Sequence, residues 1–514
     1  MLEATIGELQ QGLEEGRYTS EDLVNYYLER IAVYDESLYN SLVTINEEAV
    51  SLSRELDAER AAGNLRGPLH GIPIVVKDNI DVAGLPTTNG YSVNWNNIAG
   101  TDAEAVRLLK EAGAIVLAKG NMSTGAQIAR YTISDAAGET LNAYNTDYSA
   151  GGVSVAVAAN FAAAGIGTDT NSSIRYPAAL ASLVGLRPTF GLISLDGVEV
   201  LNWDRDTVGT LTRTVEDTAC LLSAMTGNDY TVYLGASGLA GRKIGVVLEL
   251  TGQGESSPAD FAYADEEVLS QFWAAMDALE SCGAEVVTVS LPNLFQLSAA
   301  TPENYTGSAG AKARLRAAVD ALFEEYALDA MAYPSYLTAP LSSGYGENGA
   351  PLADTEPYTN TGSFLSSPIG YPAVNLPSGF LECGVSTGLQ LMAQAGREDI
   401  LLSIGYVYEQ SSGMRAAPEL CPSLVEEAPS EPEEDAFRQE EKKAVAQPEE
   451  EVSGTSQAEP SESSEESASP ESLSGETDGA QKALPWMLTA GGLALLGFCL
   501  GLWQLLTKGR RSAR

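Results

Sequence analysis

Apolar positions along the chain follow two rhythms. Near the N-terminus, Leu23, Tyr26, Tyr27 and Ile31 recur at helical spacing behind Thr19-Ser20 and Glu21-Asp22, a helix-start pattern, and residues 1 to about 65 read as helices. Beyond them come short apolar runs at 72–77, 114–118, 243–248, 284–291, 330–333, 373–377 and 387–393, which read as strands. Amphipathic stretches at 103–112, 264–281, 312–325 and 398–411 read as helices between them. Such alternation predicts an α/β domain around a mixed sheet. Residues 154–164, rich in Ala and Val, predict a fully buried helix.

The pattern breaks down after about residue 415. Residues 423–482 are dominated by Glu, Ser, Pro and Ala and hold too little apolar surface to offset the entropy of ordering, so a disordered, charge-extended stalk is expected. Residues 484–507 are then almost wholly apolar, with Trp486 and Trp503 near the ends and Lys508, Arg510 and Arg511 behind them. About 20 apolar residues cross a bilayer, so one transmembrane helix is expected here. The division expected is 1–415 globular domain, 416–483 acidic linker, 484–507 transmembrane helix and 508–514 basic cytoplasmic tail. That topology puts the globular domain outside the cell. Met1 onward has no basic-then-apolar leader, so the sequence offers no export signal.

Composition narrows the chemistry. A formal net charge of −41 argues against nucleic acid as a direct partner, because phosphate binding needs clustered Lys and Arg. The five cysteines are scattered with no Cys-x-x-Cys pair, so neither a disulfide framework nor a zinc site is suggested. The single histidine, His70, rules out a histidine-based metal cluster and leaves one possible Ser-His-Asp base. It stands in a turn before the strand at 72–77 and reads as structural. No metal or cofactor is expected.

One stretch concentrates reactive groups. Ser149-Ala-Gly-Gly-Val-Ser154 opens it, a small-residue run and the apolar segment 161–166 follow, and Gly167-Thr-Asp-Thr-Asn-Ser-Ser173-Ile-Arg175 closes it. A buried strand running into a Gly/Thr/Asn/Ser turn frees backbone N–H groups that can bind a developing oxyanion. Ser173 stands at the end of that turn.

These residues resemble the core of the amidase signature family, serine hydrolases of carboxamides. The family pattern has a Gly-Gly-Ser-Ser-Gly-Gly run, an Ala-rich helix and Gly-Thr-Asp-x-Gly-Gly-Ser-Ile-Arg. Further matches are Gly67-Pro-Leu-His-Gly-Ile-Pro-Ile-Val-Val-Lys77-Asp78, Ala118-Lys-Gly-Asn121-Met122 and Gly388-Leu-Gln-Leu-Met392, and the resemblance spans about residues 1–412. It implies an α/β/α sandwich around a twisted mixed β-sheet. It also implies a Ser-Ser-Lys triad with Ser173 as nucleophile and Lys77 as base. Thr170, Asn171 and Ser172 with Ser173 would form the oxyanion turn, and Met122 would line the cleft. Asp169 and Arg175 would shape the turn.

Two departures bear on activity. The Gly/Ser run is altered: counting back from Gly167 puts Ser149 at the bridging position, whereas counting forward from Asn142 puts Val153 there with Ser154 beside it. Asn171-Ser172 stand where the family has Gly-Gly. The residues between 250 and 311 are fewer than the family places over its cleft, suggesting a more open site. Three readings follow: an amidase anchored at the cell membrane and acting on a small or peptide-like amide; a catalytically degenerate binding protein; and a protein like the A subunit of the tRNA-dependent amidotransferases.

Overall fold

The structure is a computed structural model, and it describes residues 1–253, 264–298, 309–340, 342–344 and 360–424. These belong to one compact unit running from the N-terminus to Glu427. The expected stalk beyond 424, the apolar segment 484–507 and the basic tail lie outside the described residues. Among the described residues, no helix is long and apolar enough to cross a membrane.

The described residues hold thirteen strands: β1 (Leu42–Ile45), β2 (Pro73–Lys77), β3 (Ile115–Gly120), β4 (Thr132–Ser134), β5 (Gly138–Thr140), β6 (Ala164–Asp169), β7 (Val184–Arg187), β8 (Thr207–Thr212), β9 (Lys243–Val247), β10 (Glu285–Val289), β11 (Ala330–Pro334), β12 (Ala373–Phe380) and β13 (Ser386–Met392). Eleven of them form one mixed sheet in the order β1-β3-β2-β6-β8-β7-β12-β13-β11-β9-β10, and β4 pairs with β5 in a separate hairpin. Every residue of β2, β3, β6, β7 and β8 is buried. A sheet covered on both faces explains why these strands read as runs rather than as an apolar/polar alternation.

The neighbours β2, β3 and β6 run parallel, with Val76 opposite Ile166. Parallel strands end on the same side of a sheet. The last residue of β2, Lys77, therefore lies beside the last residues of β6 and the turn after Asp169. In open α/β sheets this carboxyl end of the strands is where ligands bind.

The helix Gly152–Ala158 packs directly on these strands and is buried throughout. It can sit so close because its contacts lack side chains. A Cβ at Gly165 would stand 2.4 Å from Val153, and one at Gly152 would stand 2.3 Å from the Asn121 carbonyl. The expected helix over 154–164 is thus shorter and starts earlier. Asn160 takes a left-handed φ of 58° and turns the chain, so 161–163 form a connection and Ala164 already belongs to β6. The N-terminal region is helical at Ile6–Glu14, Ser20–Tyr34 and Ala49–Ala61, but β1 interrupts it. Thr19 caps the second of these helices through a reciprocal bond pair with Asp22, the start signal read from sequence.

The folded part continues past 415. The buried Arg30 donates to the carbonyls of Cys421 (2.8 Å) and Pro422 (2.8 Å), and Tyr144 donates to that of Ala416 (2.7 Å). Residues 416–422, expected as linker, are packed against the domain by these bonds.

Candidate active site

Lys77 closes the apolar strand β2, which carries its side chain into the interior, where it is 9% exposed. Its Nζ donates to Thr168 Oγ1 at 2.9 Å and to the Thr168 carbonyl at 3.3 Å. Among the described residues no carboxylate lies within ion-pair distance of it. The adjacent Asp78 is taken by Lys119 at 3.3 Å. Burial pushes the Lys77 ammonium down to about 8, against the weaker opposing pull of Asp206 and Asp169. A lysine in this state can act as a base near neutral pH.

The turn after β6 is built around Asp169. Burial alone would raise this carboxyl, but the guanidiniums of Arg175 (3.0 Å) and Arg187 (3.1 Å) outweigh it and hold Asp169 below the usual carboxylate range. Asp169 also accepts the N–H groups of Ser172 at 2.8 Å and Ile174 at 3.3 Å. Those bonds bend the chain so that Ser172 sits at a φ of 86°, a region that favours glycine. The N–H groups of Thr170, Asn171 and Ser173 meet no acceptor among the described residues, whereas that of Ser172 is spent on Asp169. Of the four donors anticipated for an oxyanion, three remain available.

Ser173 is half-buried, and its hydroxyl makes no hydrogen bond among the described residues. It lines an open cleft together with Lys77, Ser154 and Met122. The structure thus brings Lys77, Ser173 and Met122 together in one cleft. Ser149 does not join them. Its Oγ accepts from the Thr132 N–H at 3.1 Å and donates to the Thr140 carbonyl at 3.0 Å, on the strands of the β4–β5 hairpin. No bond links it to Lys77 or Ser173. Ser154, the alternative bridging serine, stands in the cleft and donates to the Gly151 carbonyl at 2.7 Å.

His70 is structural. It is buried, with Nδ1 accepting from the Arg66 N–H (3.1 Å) and Nε2 donating to the Leu56 carbonyl (2.9 Å). Four polar residues near the turn escaped the sequence reading. Thr168 receives Lys77, and Asn79 donates to Thr168 Oγ1 at 3.1 Å. Asp206 accepts from Thr170 Oγ1 at 2.5 Å, and Arg205 donates to Asn171 Oδ1 at 2.7 Å. Asn79 could have been found as the residue that follows Lys77-Asp78. Nothing local marks 205 and 206, which reach the turn only through the pairing of β6 with β8.

The geometry defines a mixed-sheet α/β enzyme with a buried lysine and a serine on a donor-rich turn. A sequence model of the amidase family matches residues 22–306, more than half of the chain, and the chain belongs to that family. The A subunit of the glutamyl-tRNA(Gln) amidotransferase of Synechococcus sp. (strain CC9311) is 29% identical over 485 residues, covering 79% of this chain and 97% of that protein. The native peptide amidase from Stenotrophomonas maltophilia is 28% identical with a TM-score of 0.69, over 82% of this chain and 99% of that one. The A subunit of the glutamyl-tRNA(Gln) amidotransferase from Thermotoga maritima is 25% identical with a TM-score of 0.63, over 81% and 98% of the two chains. The protein is accordingly an amidase-type enzyme acting on amide bonds.

Proposed function

We propose that this enzyme hydrolyses a neutral carboxamide through an acyl-enzyme on Ser173, with Lys77 as the base. The observation that carries the proposal is Lys77 itself: buried, brought down to about 8, without a carboxylate partner among the described residues and in one cleft with Ser173. Ser173 Oγ attacks the amide carbon while its proton passes to neutral Lys77 through the Ser154 hydroxyl. The N–H groups of Thr170, Asn171 and Ser173 bind the oxyanion. The C–N bond then breaks, and the leaving amine takes the proton back from Lys77. Water, deprotonated along the same path, attacks the ester and frees the acid.

Ser154 is preferred to Ser149 as the relay because it lines the cleft and would give up one bond, to the Gly151 carbonyl, whereas Ser149 is not among the lining residues and would have to give up both Thr132 and Thr140. The cleft walls include Met122, Ile128, Ala129 and Leu211, and among the described residues Lys77 is the only ionisable side chain lining it. This favours an uncharged, apolar acyl group. A fluorophosphonate probe read by peptide mapping tests the reading: one adduct on Ser173, lost in Lys77→Met, is expected. No adduct on folded protein would favour the degenerate reading.

The length over which amidotransferase A subunits match favours a second reading, in which the amide chemistry serves a multi-component transferase. Co-purification of the full chain with partner proteins and tRNA would select it. We further propose that 484–507 anchors the enzyme in the cell membrane, on the strength of its apolar sequence. Recovery of the full chain in a salt-washed soluble fraction would refute this.

A further inference from the structure

Asn171 and Ser172 stand where the family pattern has two glycines, and this chain restrains the turn from outside. Arg205 Nη1 donates to Asn171 Oδ1 at 2.7 Å. The Asn171 carbonyl accepts from Asn360 Nδ2 at 2.7 Å and from Ser363 Oγ at 3.1 Å. On the far side, the Ser172 N–H is tied to Asp169. The Asn171–Ser172 peptide is therefore gripped at both ends.

Arg205 is well placed to hold rather than to follow. It is fully buried, and Arg187 Nη2 donates to its carbonyl at 2.5 Å while Arg187 also bonds Asp169. The next residue, Asp206, accepts from Thr170 Oγ1 (2.5 Å) and from the Leu201 N–H (2.7 Å). Two consecutive residues at the entry to β8 thus fasten two consecutive residues of the turn.

We propose that Arg205, acting through the Asn171 side chain, is a positioning residue that holds the Asn171–Ser173 backbone in the one arrangement that lets its free N–H groups serve the cleft lined by Ser173. The physical reason is rotation. A peptide plane in a turn with one residue at positive φ can flip, which exchanges N–H for C=O toward the cleft. Oxyanion donors work only when held before charge develops. Anchoring Asn171 by both its side chain and its carbonyl blocks that flip. The inference rests on the reading of Ser173 as nucleophile.

The test compares the full-length enzyme with Arg205→Met, Asn171→Ala and the double variant. Two readouts are taken: inactivation by an alkyl fluorophosphonate, separated into a maximal rate and a half-saturation concentration, and amide hydrogen exchange across 169–175. The maximal rate should fall about 10- to 100-fold in each single variant, less than the about 10²- to 10³-fold cost of removing a donor outright, because the donors are freed rather than lost. Half-saturation should stay within about twofold. The double variant should be no slower than the worse single one, because both changes break one bond. Exchange should rise at the turn and not in β12. Maximal rates within about twofold of the parent, multiplicative losses in the double variant, or unchanged exchange at the turn would each overturn the inference. If the parent enzyme does not react, the nucleophile reading fails, and the exchange arm alone then decides whether Arg205 holds the turn. Should Arg205→Met fail to fold, Asn171→Ala, at a half-buried position, tests the same bond.

Discussion

Lys119 holds the Asp78 carboxylate, Nζ to Oδ1 at 3.3 Å, with both side chains buried. That pairing leaves the other lysine beside Asp78 without a counter-ion. Lys119 stands opposite Val76 across β2 and β3, and successive side chains of a strand point to opposite faces, so Lys119 and Lys77 leave the sheet on opposite sides. The acid is thus committed to Lys119, while the Lys77 amine has no carboxylate within ion-pair distance among the described residues.

Activity should therefore rise with pH through about 8, because the base works when neutral. A kcat/KM profile that is flat from pH 7 to 9 would contradict this. The same shift acts on stability. Between about 8 and the ordinary lysine value near 10.4, the unfolded state binds more protons than the folded one, so stability rises with pH across that window and carries the full cost below it. Lys77→Met should abolish turnover yet stabilise the protein at pH 7 by up to about 3 kcal/mol, the value of the shift converted at 1.36 kcal/mol per unit. Denaturant unfolding of the two proteins provides the measurement.

The relay is decided by two variants. Ser154→Ala should lower kcat by about 10²- to 10⁴-fold, the range for a lost proton-transfer group. Ser149→Ala should leave the rate within about threefold and act on stability instead, through the Thr132 and Thr140 bonds it removes. The opposite pattern would return the proton path to Ser149.

Ser172 combines a φ of 86° with a buried hydroxyl that finds no partner among the described residues. A left-handed non-glycine residue costs roughly 1–2 kcal/mol, and an unsatisfied buried hydroxyl adds to it. Ser172→Gly should raise the unfolding free energy by about 1 kcal/mol, after the loss of backbone entropy that glycine brings. Ser172→Ala, which keeps the strain, should gain less. Equal or reduced stability in the glycine variant would mean that the turn is not strained.

A second pH window comes from the opposite side of the molecule's chemistry. Burial pushes Glu409 up to about 8, although its Oε1 accepts the Val215 N–H at 2.9 Å, and burial pushes Asp217 up to about 6. These carboxyls bind protons more tightly folded than unfolded. Stability should consequently fall as pH rises from about 4.5 to 8. Glu409→Gln keeps the acceptor and removes the charge, so it should flatten that slope and raise the melting temperature at pH 8 by several degrees. An unaltered slope would assign it to other groups.

Much of this architecture could be read from residue patterns. The strands β2, β3, β9, β11, β12 and β13 coincide with apolar runs, because burial on both faces leaves them no polar alternation. β8 escaped notice: Thr207-Val-Gly-Thr-Leu-Thr212 is half threonine, and its side chains are accommodated by neighbours outside the strand, such as Thr218 against Thr212 at 2.6 Å. β1 was hidden among helices because its four residues are too short for a period to show. In the site, Lys77 and Ser173 were legible as strand-end and turn residues. Arg205 and Asp206 were not, since their role exists only once β8 lies against β6. The direction of the Ser149 hydroxyl was equally out of reach, being set by a hairpin whose two strands have only three residues each, too short for an alternation to show around the Asp135-Ala-Ala-Gly138 turn.

The parallel pairing of β2 with β6 has a consequence for how this enzyme could change. The base ends β2 and the nucleophile stands on the short turn that β6 leads into, so adjacent strands of one sheet fix the two within the reach of that turn. Among the described residues, variety of substrate would enter through the segment from Met122 to Ala129, whose Met122, Ser123, Ala126, Ile128 and Ala129 line the cleft. The reacting pair behaves as a fixed anvil, and diversification is confined to the vice around it.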